Sequence, residues 1–227
     1  AGLRLSASLG PKTEAITVPI AWRVMRDGAP ASEQPVLETT APQASIDAPP
    51  GTYVVEAKIG LVSTKQKFEV TKERPTRAHL VLNAGAAWLL ARTHKGGPLL
   101  EGTVYTVSEM SRGDARSKEP ARLLWMSRET EPLVHLPAGT YRIGVQHGTI
   151  SQDRAVVIEP GVSGELDVVL GAGRLQLKAV NREGGEPVDN VVFIVAEDDP
   201  DAPQGRRELL RSAAPAPEFV LAAGTYY

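Results

Sequence analysis

Apolar and polar residues alternate with a period of two along most of this chain, which predicts β-strands rather than helices. Leu3, Leu5 and Ala7 alternate with Arg4 and Ser6, and Gly10-Pro11 then makes a turn. A second strand is expected over Val18–Val24, carrying Trp22, and a short one over Pro35–Thr40, weakened by its proline. Ala41–Pro50 leads into Gly51-Thr52-Tyr53, after which three strands are expected: Tyr53–Ile59, Thr64–Val70 and Ala78–Leu82. Gly60 and Glu73-Arg74-Pro75 separate them as turn residues.

The same order then repeats. Ala87, Leu89 and Ala91 take the places of Leu3, Leu5 and Ala7, and Thr103–Val107 puts Tyr105 where Trp22 stood. Ser108 to Pro120 is polar without apolar periodicity and reads as an exposed loop. Leu123–Met126, Leu133–Leu136, Tyr141–Val145, Arg154–Ile158 and Glu165–Leu170 complete the second set. A third set opens with Leu175, Leu177 and Ala179 and continues through Val191–Val195, with Phe193 at the aromatic position. It then runs through a polar loop at Glu197–Gly205 to Glu208–Leu210 and Phe219–Leu221.

Each set contains a Gly-Thr-Tyr corner, at Gly51, Gly139 and Gly224, so that the corners start 88 and then 85 residues apart. That period is too long for a solenoid and suits one small domain per repeat. The prediction is an all-β chain of tandem immunoglobulin-like β-sandwiches: repeat one over 1–82, repeat two over 83–171 and a partial repeat three over 172–227. Glycine supplies the corner's unusual backbone. Tyr53, Tyr141 and Tyr226 are expected to return their hydroxyls to nearby backbone, as in a tyrosine corner. Trp22, Tyr105 and Phe193 share an aligned position and read as an aromatic plug in each core. In the first two sets three strands follow the corner, whereas the third stops at Tyr227. The Ala1 start suggests a processed mature protein or an excised segment, and the stop at Tyr227 creates the expectation of a piece of a longer repeat protein. The alternative is a partner chain or strand-exchanged dimer completing repeat three.

Of the 227 residues, 42% are hydrophobic and 23% charged, ordinary for a globular protein, and the formal net charge of −2 gives no electrostatic footprint for nucleic acid or an anionic membrane. Cysteine is absent, which removes disulfides and thiol chemistry. No run reaches the roughly 18 apolar residues of a membrane helix.

The stretches Pro137–Val145, Val156-Val157-Ile158-Glu159-Pro160-Gly161 and Leu166-Asp167-Val168-Val169-Leu170 resemble the LPAGTYxVxV…VxVxxG…VxL half of bacterial carboxypeptidase-regulatory-like and PEGA-like modules. The resemblance covers residues 44–82 and 132–170. It implies an immunoglobulin-like or transthyretin-like sandwich and a non-catalytic accessory module of a bacterial envelope or secreted protein, periplasmic or extracellular. It carries no catalytic residues and no cofactor, and the partners it implies are proteins.

Candidate chemistry is sparse. Trp88 and Trp125 fall off the aligned core positions, so they could stack on sugar rings, anchor a protein or fill a seam between repeats. Asp198, Asp199 and Asp201 could offer hard oxygen ligands to calcium, although Pro200 interrupts them and the run could equally be solvated. His79, His94, His135 and His147 are scattered without metal-ligand spacing. Arg112-Gly113-Asp114 resembles an integrin-recognition tripeptide. Lys72, Arg74 and Arg77 form a small basic group without interleaved aromatics, a poor nucleic-acid signal. No Gly-x-Ser-x-Gly or phosphate-loop context is present. The leading functional reading is therefore a spacer or docking array. Carbohydrate binding through the tryptophans is the alternative, and a dispersed enzyme site the remote one.

Overall fold

A computed structural model of the chain describes residues 2–110 and 121–227, and among these all regular structure is β. Unit one contains β1 (Gly2–Ser8), β2 (Ile20–Arg26), β3 (Leu37–Ala41), β4 (Ala44–Asp47), β5 (Gly51–Ile59), β6 (Val62–Val70) and β7 (Thr76–Val81). These form two facing sheets, ordered β4-β1-β7 and β3-β2-β5-β6. Pro42 and Gln43 carry the chain from one sheet to the other between β3 and β4. The alternation read from the sequence sorts directly into layers. Leu3, Leu5, Ala7, Ala78 and Leu80 of the first sheet meet Ile20, Trp22, Val24, Tyr53 and Val55 of the second. Strand β1 lies between an antiparallel β4 and a parallel β7.

Unit two contains β8 (Ala84–Arg92), β9 (Val104–Glu109), β10 (Leu123–Ser127), β11 (Leu133–Pro137), β12 (Gly139–His147), β13 (Ile150–Ile158) and β14 (Ser163–Val169). Its sheets, β11-β8-β14 and β10-β9-β12-β13, repeat the order of unit one. Unit three contains β15 (Ala172–Gln176), β16 (Phe193–Asp198), β17 (Arg206–Ser212) and β18 (Glu218–Ala222). It pairs β15 with β18 and β16 with β17. Beyond its corner, Tyr227 exchanges two backbone hydrogen bonds of 2.9 Å with Ala196 of β16. This is the register in which Arg142 of β12 meets Ser108 of β9 in unit two.

The corners form as expected in all three units. The hydroxyls of Tyr53 and Tyr141 donate to the carbonyls of Pro49 and Pro137 at 2.8 Å, and Tyr226 donates to Ala222 at 2.7 Å. Gly51 and Gly139 hold φ of 153° and 155°, a conformation that a side chain strains, which accounts for glycine at these two corners but not at Gly224, whose φ is not positive. Tyr53 is buried, so its hydroxyl cannot exchange its carbonyl partner for water without reorganising the corner. Tyr53→Phe should lower unit-one stability by about 1 kcal/mol. Urea denaturation would measure this, and an unchanged midpoint would remove the structural role assigned to the hydroxyl.

The aromatic position is filled unequally. Trp22 and Tyr105 are fully buried, Trp22 donating its indole N–H to the Ala41 carbonyl at 2.9 Å. Burial, reinforced by the carboxylate of Asp167, pushes the Tyr105 hydroxyl up to about 12. Phe193 is half-buried, in the unit whose sheets hold two strands each. The loop expected from Glu197 is shorter than its polarity implied. Strands β16 and β17 extend into it, with Glu197 opposite Arg207 and Asp198 opposite Arg206. Cross-strand charge pairs thus support pairing where apolar alternation is absent.

Candidate functional site

Outside the cores and corners, the junction between units recurs with the same backbone geometry. Strands β7 and β8 are separated by Leu82 and Asn83 alone. Asn83 has φ of 50°, the left-handed conformation that asparagine tolerates, and it turns the chain from one sandwich into the next. Around it Leu82 N–H donates to Ser8 O, Ala84 N–H to Leu9 O and Ala138 N–H to Asn83 O, each at 2.9 Å. At the second junction Gly171 takes the left-handed position with φ of 63°. There Leu170 N–H donates to Arg92 O at 2.8 Å, and Ala172 N–H to Thr93 O and Ala223 N–H to Gly171 O at 2.9 Å. Both junctions thus use one three-bond clasp. It ties the connecting residue back to the first strand of the unit before and forward to the corner of the unit after.

Side chains and turns close the first junction further. Leu61, at the β5–β6 turn, packs against the unit-two core, and its N–H donates to His135 O at 3.0 Å. Gly10 lies against Gly161, which donates its N–H to Ala84 O at 2.8 Å. Val220 of unit three packs against the same unit-two core from the other end. At the first junction the loop after β13 covers Gly85, where a Cβ would lie 2.8 Å from the carbonyl oxygens of Glu159 and Val162. At the second, an open cavity of about 580 Å³ lies at the equivalent place, lined in part by Val169, Leu175, Leu221 and Tyr226.

The expected site residues are dispersed. Trp88, 39% exposed, stands on the outer face of the β11-β8-β14 sheet opposite Leu133 and Glu165. Trp125 lies in the other sheet and packs against the unit-two core. The two indoles therefore share no surface, and the junction contacts above are made by other residues. Asp198 accepts from the Tyr227 hydroxyl at 3.1 Å, while Asp199 accepts from the Asp201 backbone N–H at 3.0 Å and lies 3.7 Å from Arg207. These carboxylates are engaged separately. Among the described residues, no three His, Asp or Glu side chains are grouped to hold a metal ion.

Each histidine has its own local role. Nδ1 of His94 is 2.9 Å from the Thr93 hydroxyl. His135 and His147 are held below the usual imidazole range by burial, His147 also by the charge of Arg174 across the second junction. His79 joins β7 to β1 through Ser6 and Ser8. Arg112-Gly113-Asp114 lies outside the described residues. Two structural features escaped the sequence reading: the left-handed pivots and the approach of Gly10 to Gly161. The recurrence of Leu82-Asn83-Ala84 as Leu170-Gly171-Ala172 was the available signal for the pivots.

No protein-family model matches the chain, and no curated protein matches it. Among solved structures, it is similar to a streptococcal ancillary pilin at 14% identity and a TM-score of 0.36, covering 100% of this chain and 88% of that one. It is similar to the Bacillus anthracis TIE protein at 16% identity and a TM-score of 0.30, over 99% of this chain, which spans 44% of that protein. A third similarity, to the major pilin subunit of Bacillus cereus, has 9% identity and a TM-score of 0.30 and covers 100% of this chain and 86% of that one. The functional reading accordingly rests on the chain's own geometry.

Proposed function

We propose that the chain is a non-catalytic structural and protein-docking array of a bacterial cell-envelope or secreted protein. The observation that carries this reading is the repeated clasp: two junctions of different sequence make the same three backbone hydrogen bonds around a left-handed pivot. A connection of two residues held at both sides fixes the direction of successive sandwiches, which a spacer needs and a flexible tether lacks. For the carbohydrate alternative Trp88 offers an exposed indole, and Trp125 a partly buried one packed against the unit-two core.

Small-angle X-ray scattering of the whole chain tests the reading. A single conformation with a maximum dimension well beyond that of a globule of this mass is expected, unchanged by moderate salt. Scattering that requires an ensemble of inter-unit angles would overturn the array proposal.

A further inference from the structure

The outer face of the β4-β1-β7 sheet has a charge arrangement that its own fold does not neutralise. Arg4, on the central strand, lies directly opposite Arg77 on β7 and Ser45 on β4. Like charges facing each other across strands destabilise a sheet. Arg74, just ahead of β7, adds a third guanidinium. None of the three lies within 4.0 Å of a carboxylate among the described residues, and all are exposed. Asp47 shares this face two positions beyond Ser45, while Glu69 and Glu73 flank the turn into β7. The same face of unit two is built differently. Trp88 stands at the Arg4 position opposite Glu165, and Asp167, at the His79 position, pairs with Arg92 at 3.0 Å.

These arginines line two adjoining grooves. One, of about 600 Å³, includes Arg4, Ser6, Gln43, Ser45, Arg77 and His79. The other, of about 640 Å³, includes Arg4, Thr71, Arg74 and Arg77. His79 is held in place on both sides. Its Nε2 is 3.0 Å from the Ser8 hydroxyl, which spends its own hydrogen on the Gly10 carbonyl at 2.9 Å. Nε2 must therefore donate, and in the neutral ring Nδ1 accepts from the Ser6 hydroxyl at 2.9 Å.

We propose that this face binds an acidic polysaccharide, its carboxylate or sulfate groups held by Arg4, Arg74 and Arg77 and its hydroxyls by Ser6, Gln43 and Ser45. Guanidinium forks match planar and tetrahedral oxyanions in two-point contacts. The short polar side chains beside them suit sugar hydroxyls. The groove lining carries no Phe, Tyr or Trp ring for nucleobases to stack on, and the net charge of −2 supplies no general attraction for nucleic acid. This site is independent of the array reading, since a flexible chain could carry it equally well.

Isothermal titration of the full chain with a heparin hexasaccharide and with hexagalacturonate separates sulfate from carboxylate recognition. Binding of at least one is expected, with no binding of neutral cellohexaose. Arg4→Gln and Arg77→Gln should each weaken it on the order of tenfold, as for loss of one charge-assisted contact. The thermal midpoint should stay equal or rise, because like-charge repulsion is relieved. Arg128→Gln, an exposed arginine of unit two, should bind as the parent does. Failure of both acidic oligosaccharides to bind would overturn the proposal. So would equal weakening by Arg128→Gln, or tighter binding of single-stranded DNA of matched charge.

Discussion

Replacing Trp22 by alanine is expected to destabilise unit one by about 3–5 kcal/mol, the range for emptying a large aromatic site in a packed core. Trp22 is 1% exposed and sits among Leu5, Ile20, Val24, Tyr53 and Val55, so no solvent reaches the space it leaves. The Ala41 carbonyl also loses its indole donor at the point where the chain crosses between sheets. Trp88 and Trp125, which lie in unit two, still report on that unit. Urea denaturation of Trp22→Ala should therefore show the unit-one transition moving far to lower urea by circular dichroism. The tryptophan fluorescence transition of unit two should move much less, by the lost support at the junction. A loss below about 1 kcal/mol would mean that the core collapses around the site and that the shared aromatic position is not what holds the two sheets. Loss of both transitions together would show one cooperative body rather than serial units.

The legibility of this chain divides along the range of the interactions involved. The tyrosine corners were readable because all their parts lie within five residues, from the Pro49 carbonyl to the Tyr53 hydroxyl, and because the pattern recurs. The layers were readable because burial follows the period of two. Where the ladder departs from that period, the reading departs with it. The register shift between Leu123 and Trp125 breaks the alternation of β10, so that Leu124 and Trp125, both partly buried, pack against the core in succession. Similarly, β16 and β17 are extended by Glu197–Arg207 and Asp198–Arg206 pairings, which a hydrophobic pattern cannot register.

Long-range placement was the least readable. Lys72, Arg74 and Arg77 read in sequence as a small basic group without interleaved aromatics. The parallel pairing of β1 with β7 brings Arg4 from the far end of the unit beside Arg77, and the two line one face with Arg74. The left-handed pivot at Asn83 is a property of one backbone angle, and asparagine serves many other purposes in loops. The candidate site of the array reading therefore became visible through the backbone hydrogen bonds of the junction, not through any side chain with conspicuous chemistry.

The junction itself can be opened selectively at Gly10. A Cβ there would lie 2.9 Å from Cα and 3.0 Å from N of Gly161, backbone atoms that cannot swing aside as a flexible side chain would. Gly10 does not use a left-handed conformation, so valine is acceptable to its own turn, which the Gly10–Thr13 hydrogen bonds of 2.9 and 3.0 Å already fix. The clash therefore falls on the contact between units rather than on either core. Gly10→Val should cost about 1–3 kcal/mol of coupling between units one and two, the range for overpacking a close contact. Scattering from the variant should demand a broader range of inter-unit angles, and limited proteolysis should cut near Leu82–Gly85, where the parent is expected to resist. Gly164→Ala, whose added methyl meets nothing within 4 Å, should leave both readouts unchanged. If Gly10→Val scatters and resists protease as the parent does, the turns merely touch. The three-bond clasp would then have to hold the units in line unaided. If the variant bends freely while each sandwich keeps its stability, direction in this array is set at the seams and independently of the cores.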